Sequence, residues 1–363
     1  MRQMTLNHPR WLADRRRYQR VLKGLAIALA FIFGRDVRTA MAGLTYTVTD
    51  LGAGFVPQAI NDSGEVGGFS GGNAVLYSGG SVQTLWTDGM ALGINSSGQV
   101  VGYQGDNTVG FYPQIYSGGV VSSLGSQGNI PVSINDSAQA VGYGVGSTPT
   151  AIINSSGFWS PLIGGFPTTG GSQAVAINDN DQVAVETPSG AYLDNLSQNG
   201  ATNFLGGFTP NGLNDTGQVV GTSSNGGVLY SAGSLESVPG LDNAYGINGD
   251  GDIVGEGATS TIGTYYIYPE GDARLYTSGG SQIDFDNLLT ASTGWLFFDA
   301  IAINDSGQIA CIGCPNGDYN DVHGLLLTPA SVVPEPAGIL LLAASSFGML
   351  ARRRHRQLST QPH

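Results

Sequence analysis

Residues 43–333 contain no lysine, one histidine (His323) and one arginine (Arg274), against 24 Asp and Glu, a net charge of −23. A field of that sign repels nucleic acid and anionic lipid surfaces, so neither is an expected partner. It also repels acidic polysaccharide unless divalent cations bridge the two. Nucleophilic triads need a histidine, and His323 stands at the start of a repeat strand, which points to a structural role. No catalytic residue is singled out. Cysteine is as scarce: Cys311 and Cys314 form C-I-G-C, half of a zinc site with no second pair to complete it. In an oxidising compartment they would form a local disulfide, bent at Gly313-Cys314-Pro315, or remain two free thiols. Long apolar runs are missing too. The two longest, residues 25–33 and 337–351, fall short of the ~20 residues that a membrane helix needs.

What is present begins with the two ends. In residues 1–42 a basic region (Arg15, Arg16, Arg17, Arg20, Lys23) precedes the first apolar run, and Ala40-Met41-Ala42 supplies small residues for cleavage. This is the pattern of a secretory signal peptide, read by the Sec export machinery and cut after Ala42. A retained N-terminal anchor is the alternative, against which the nine-residue run is short. At the other end, residues 331–356 read as an extended Val333-Pro334-Glu335-Pro336, then the uncharged run 337–351, then Arg352, Arg353, Arg354 and Arg356. The prolines stop a helix from starting before them. Fifteen helical residues span about 22 Å, and snorkelling arginines could cover part of the deficit against a ~30 Å hydrocarbon core. The arginines should stay cytoplasmic, which puts the acidic body outside. Residues 357–363 form a short tail beyond them.

This three-part tail closely resembles the PEP-CTERM sorting signal of Gram-negative bacteria. The resemblance implies that the exported protein is held transiently in the inner membrane until an exosortase cuts near Pro334-Glu335-Pro336. The product then passes to the cell surface or extracellular matrix. A plain tail anchor that is never cut is the alternative.

Between the ends one phrase recurs. I-N-D-S-G-E-V-G-G begins at Ile60, and related copies begin at Ile94, Ile134, Ile177, Leu213, Ile247 and Ile303. The spacings between their asparagines are 34, 40, 43, 36, 34 and 56 residues. Each copy is followed by strand-like runs such as A-V-L-Y-S-G-G and S-V-Q-T-L-W, punctuated by glycine, asparagine and serine. Four short strands and two hairpin turns per unit of about 41 residues match one propeller blade. The seventh unit stops after G-L-L-L-T-P, its third strand, and residues 45–52 have the form of a fourth strand with no unit before them. The expectation is therefore an all-β, seven-bladed β-propeller over residues 43–330, closed by its N-terminal strand.

The repeats also resemble the HAF repeat of extracellular bacterial proteins. Asp50-Leu51-Gly52 and Ala74–Tyr77 carry that pattern. The resemblance implies export and repetition rather than a particular activity.

The Asp that follows most repeat asparagines (Asp62, Asp136, Asp179, Asp215, Asp305) reads as part of an Asx turn, or as a repeated calcium ligand. Asn248, Asp250 and Asp252 are the best local calcium candidates, although no acidic residue stands at the twelfth position of that loop, Thr259. No other cofactor is expected. Residues 261–272 form an insertion whose Tyr265, Tyr266 and Tyr268 could offer stacking faces to a ligand. The expected function is that of a surface or matrix module, non-catalytic, binding exopolysaccharide or another surface protein. The rival is a secreted propeller hydrolase or lyase acting on polysaccharide.

Overall fold

The computed structural model describes residues 45–106, 108–198, 200–257, 272–285 and 293–330. The signal residues Ala40 and Ala42, the insertion tyrosines Tyr265, Tyr266 and Tyr268, and the whole tail from Pro334 to Arg356 lie outside them. The account below concerns the unit Thr45–Pro329.

Strand β1 (Tyr46–Ala53) opens the fold. It is followed by β2 (Phe55–Ile60), β3 (Val66–Ser70), β4 (Asn73–Ser78) and β5 (Ser81–Trp86), which form blade 1. Blades 2 to 6 repeat the order as β6–β9 (residues 89–123), β10–β13 (129–161), β14–β17 (173–206), β18–β21 (209–237) and β22–β25 (243–284). The last sheet holds β26 (Trp295–Ile303), β27 (Ile309–Pro315) and β28 (His323–Pro329), with β1 as its fourth strand. All pairings are antiparallel, and Tyr46↔Pro329 through Ala53↔His323 join the first strand to the last. The protein is a seven-bladed β-propeller, closed as its sequence leads one to expect.

Two turn chemistries recur in the blades. Between third and fourth strands of blades 1 and 2 the S-G-G turns put two consecutive residues at positive φ, as at Gly79 (60°) and Gly80 (85°). That is the type I′ geometry whose twist suits a two-residue hairpin. Between first and second strands the repeat phrase needs one left-handed residue, supplied by Gly64, Gly98, Gly217, Gly251 and Gly307. Ala138 and Asp181 take the same conformation in blades 3 and 4, at a steric cost glycine avoids.

The core is a set of wedges between blades rather than one central mass. Phe55, Val66 and Val75 of blade 1 pack with Ala310 and Leu326 of blade 7, and equivalent clusters fill the other seams. The tryptophans tie blades together. Trp86 Nε1 donates to the Tyr103 carbonyl of blade 2, and Trp159 Nε1 of blade 3 donates to the Leu124 carbonyl after blade 2, each at 2.7 Å.

The cysteines are corrected by the fold. Cys311 and Cys314 are both buried free thiols on the extended strand β27. Side chains three residues apart on a strand leave opposite faces, and their Cα atoms are ~10 Å apart, beyond the ~7 Å limit for a disulfide. No bend forms at Gly313, because β27 pairs through it with both neighbouring strands.

Candidate functional site

The seven repeat phrases come together in the tertiary structure. They ring one mouth of the central channel, a polar cavity of about 220 Å³ lined by the Ile-Asn or Leu-Asn pairs and the residues after them.

Each asparagine side chain is buried and hydrogen-bonded through both its oxygen and its nitrogen. Its Oδ1 accepts the N–H of the residue four positions on, as from Glu65, Gln99, Gln139, Gln182, Gln218, Asp252 and Gln308, which fixes the turn. In three copies it also accepts the N–H two positions on, the Asx-turn bond. Its Nδ2 then reaches sideways to the asparagine carbonyl of the next blade. Asn61 donates to Asn95, Asn95 to Asn135, Asn135 to Asn178, Asn178 to Asn214, Asn214 to Asn248, Asn248 to Asn304, and Asn304 back to Asn61, at 2.8–3.3 Å. This closed hydrogen-bonded circle joins all seven blades. The second Nδ2 hydrogen goes to Glu65 or to Gln99, Gln139, Gln182, Gln218 or Gln308 in six copies. Gln99, Gln218 and Gln308 pass the chain on to Ser117, Ser231 and Thr328 of the third strand. Glu65 accepts from Ser78 in the same place. The spacing N-x-x-x-Q, with a hydroxyl residue on the third strand, is thus one network.

The aspartates form a second, outer circle. Asp136, Asp179 and Asp215 each accept, through Oδ1, the N–H of the equivalent residue of the preceding blade (Ser96, Asp136 and Asp179) at 2.7–2.9 Å. Asp305 accepts from Gly249 at 2.6 Å, and Asp62 accepts from Asp305 at 2.9 Å. Ser96 also donates its hydroxyl to Asp136. The circle is open where Ser96 and Gly249 stand in place of a carboxylate. These acids are therefore inter-blade clamps, and the Asx turn belongs to the asparagine before them. Crowding is felt at Asp179. Its carboxyl sits above the ordinary range through burial, then through the charges of Asp136 and Asp215, against which the Asp136 N–H works.

The calcium candidates do not converge. Asn248 Oδ1 accepts the Asp252 N–H at 2.9 Å, Asp252 Oδ1 accepts the Ser278 N–H at 2.8 Å, and Asp250 is exposed. Asn248 Oδ1 and Asp252 Oδ1 are thus occupied by the turn and by the neighbouring hairpin. Among the described residues no group of three or more His, Cys, Asp or Glu side chains is placed to hold a metal.

His323 sits at the ring closure. Its Nδ1 lies 2.8 Å from Asp50 Oδ1 on β1, and its Nε2 lies 3.0 Å from Asp321 Oδ1. Trp295 packs edge-on against the imidazole, with ring centroids 5.2 Å apart. Burial disfavours the imidazolium, yet the hydrogen bonds and charges of Asp50 and Asp321 outweigh it and raise the pKa. With both nitrogens so engaged, the ring acts as a clasp between first and last strands. A raised folded pKa means the clasp is fully stabilising below the unfolded value of about 6.5 and is lost as pH rises through the folded value. His323→Gln is therefore expected to cost about 1 kcal/mol at pH 6 and little at pH 9, given the half-exposed carboxylates. Urea midpoints across that range check this, and equal losses at both ends would contradict it.

No protein-family profile matches the chain, and no curated protein sequence matches it. Solved structures match it at low similarity. An acylaminoacyl peptidase, solved in complex with Z-Gly-Gly-Phe-chloromethyl ketone, matches at 10% identity and a TM-score of 0.43 over 72% of this chain. This chain spans 49% of that protein's length. The β-propeller domain of the Trilobed protease from Pyrococcus furiosus matches at 12% identity and a TM-score of 0.34, covering 77% of this chain and 84% of that one. A mutant of AofleA from Arthrobotrys oligospora matches at 10% identity and a TM-score of 0.34, covering 80% and 90% respectively. At such identities none of them carries chemistry over to this chain.

The mouth as built is an acceptor-rich, anionic rim over a hydrogen-bonded floor. Such a rim suits contacts with hydroxyl or cationic groups. Among the described residues no helix is long and apolar enough to cross a membrane.

Proposed function

We propose that the protein is exported, held for a time in the inner membrane by its C-terminal tail, and cut by an exosortase near Pro334-Glu335-Pro336. The released propeller then serves at the cell surface or in the extracellular matrix, as a binding or structural module for exopolysaccharide or another surface protein. The three-part tail, with its V-P-E-P motif, apolar run and arginine cluster, carries this reading. The closure of the ring supports it. The last strand ends at Pro329, paired with Tyr46, so the folded unit fits between a cut after Ala42 and one near Pro334. Neither cut removes a strand of the described residues. The −23 charge of the segment adds to the case, since an acidic body stays clear of the anionic membrane it passes.

The test is to replace Pro334-Glu335-Pro336 by three alanines in a cell that carries an exosortase. The expected result is an uncut, membrane-bound form and no protein in the matrix fraction. Unchanged tail removal and export would defeat the sorting part of the proposal. Turnover of a purified exopolysaccharide by the 43–333 fragment, abolished by a single carboxylate change, would defeat the non-catalytic part.

A further inference from the structure

The seven outer seams of a repeat propeller should resemble one another, and here one does not. On every blade a second-strand residue pairs with the first-strand residue four positions before the Ile or Leu of the repeat phrase: Val56↔Phe69, Met90↔Tyr103, Ile130↔Tyr143, Gln173↔Glu186, Thr209↔Thr222, Asn243↔Glu256 and Asp299↔Ile312. Across a seam, the second-strand member meets the first-strand member of the following blade. Ile312 packs with Val56 in one apolar cluster, and Thr209 Oγ1 reaches Glu186 Oε1 at 3.5 Å. By the same register the seam between blades 6 and 7 sets Glu256 against Asp299, and the strand carrying Glu256 (β23, Ile253–Gly257) packs on the strand carrying Asp299 (β26). It is the one seam at which this register opposes two carboxyl groups.

Among the described residues the pair has no countercharge. Arg274, on the neighbouring strand β24, points its guanidinium to the Gly240 carbonyl at 2.9 Å and to Asp272 at 3.3 Å. The segment has no lysine, and His323 is engaged at the ring closure. The other groups that face the pair are Asn243, which donates to Glu256 Oε1 at 2.5 Å, the Tyr245 hydroxyl, and the buried Cys311 thiol on β27. None of these supplies a positive charge. Glu256 Oε2 and Asp299 Oδ1 are each buried with no hydrogen-bond donor. Two like charges so placed cannot both persist, and a buried acceptor without a donor is costly. One proton between the two orphaned oxygens answers both problems.

We propose that Glu256 and Asp299 share a single proton across the seam between blades 6 and 7, and that losing it as pH rises loosens the contact between those blades. Burial, then the hydrogen bond and charge of Glu256, hold the Asp299 carboxyl above the ordinary carboxylate range. The sign follows. The folded pair keeps a proton that the unfolded chain gives up near pH 4, so folding stability falls as pH rises from there to the pair's own titration.

Asp299→Asn places an amide donor where the shared proton lies, so it should fold and mimic the protonated pair. In a His323→Gln background, which removes a second pH-linked contact, urea unfolding of the parent should show the folded-to-unfolded ratio dropping at least tenfold between pH 4.5 and 8. Asp299→Asn should reduce that drop to threefold or less. Amide exchange in β26, corrected for the intrinsic pH effect, should speed up at pH 8 in the parent and not in Asp299→Asn. Equal pH slopes in the two proteins would overturn the proposal. So would the lack, in the parent at pH 5.5, of any infrared band of a protonated carboxyl that Asp299→Asn removes. If Asp299→Asn does not fold, Glu256→Gln answers the same question, because its amide supplies the same donor from the other side.

Discussion

Replacing Asn178 by alanine is expected to lower the unfolding free energy by about 3–5 kcal/mol, a large share of the 5–15 kcal/mol that usually holds a domain together. Its Oδ1 accepts from Asn180 (3.1 Å) and Gln182 (2.9 Å), and its Nδ2 donates to Gln182 Oε1 (2.8 Å) and to the Asn214 carbonyl (2.9 Å). The side chain is buried, with 5% of its surface exposed. Deleting it leaves several of those groups unpaired away from water, and each carries a penalty of about 1–3 kcal/mol that relaxation only partly recovers. Asn178→Asp makes a sharper test. It keeps the shape and the acceptor but has no donor, and it sets a charge against the Gln182 and Asn214 oxygens. Its cost should match or exceed that of alanine. Denaturant melts of the two variants decide the matter. A loss under about 1 kcal/mol in both would mean that the circle of asparagines is a consequence of the fold and not one of its supports.

Removing residues 45–53 is expected to have a larger effect still: no cooperative melt, or a soluble form that aggregates through an open edge. The strand β1 buries Leu51 and Tyr46 and pairs with the whole of β28. Burial of those two side chains alone is worth about 1.5–3 kcal/mol each. Its removal also bares the β28 edge next to Leu325, Leu326 and Leu327, a template for pairing between chains. Adding the 45–53 peptide to the truncated protein should restore part of the native near-ultraviolet signal, because strand addition needs only a free edge and a pocket for alternate side chains. A truncated protein that melts cooperatively and stays monomeric would show that the ring does not depend on this closure.

Some of this was legible in the chain as written. Seven copies of the I-N-D-S-G phrase count the blades. The incomplete seventh unit and the unpaired strand at residues 45–52 foretell the closure. Such signals are local: a turn states its chemistry within four residues, and a strand states its alternation within six. The role of the phrase itself was legible only in part. Asn61 and Asp62 look like one Asx turn, yet Asn61 makes the turn while Asp62 holds the backbone of Asp305, 243 residues away in the chain.

The sequence by itself determined the number of units and the turn types, because these rest on contacts between near neighbours. It determined the manner of closure as well, because the strand missing from the seventh unit and the spare strand at residues 45–52 can be counted along the chain. Tertiary structure alone decided that seven separate turns become one circle of asparagines around a channel. It also decided that Cys311 and Cys314 stay apart on an extended strand, and that Glu256 meets Asp299. Each of these depends on blades from distant parts of the chain being wrapped about a common axis. The wrapping sets residues of equal rank side by side, and spacing along the chain carries no record of it.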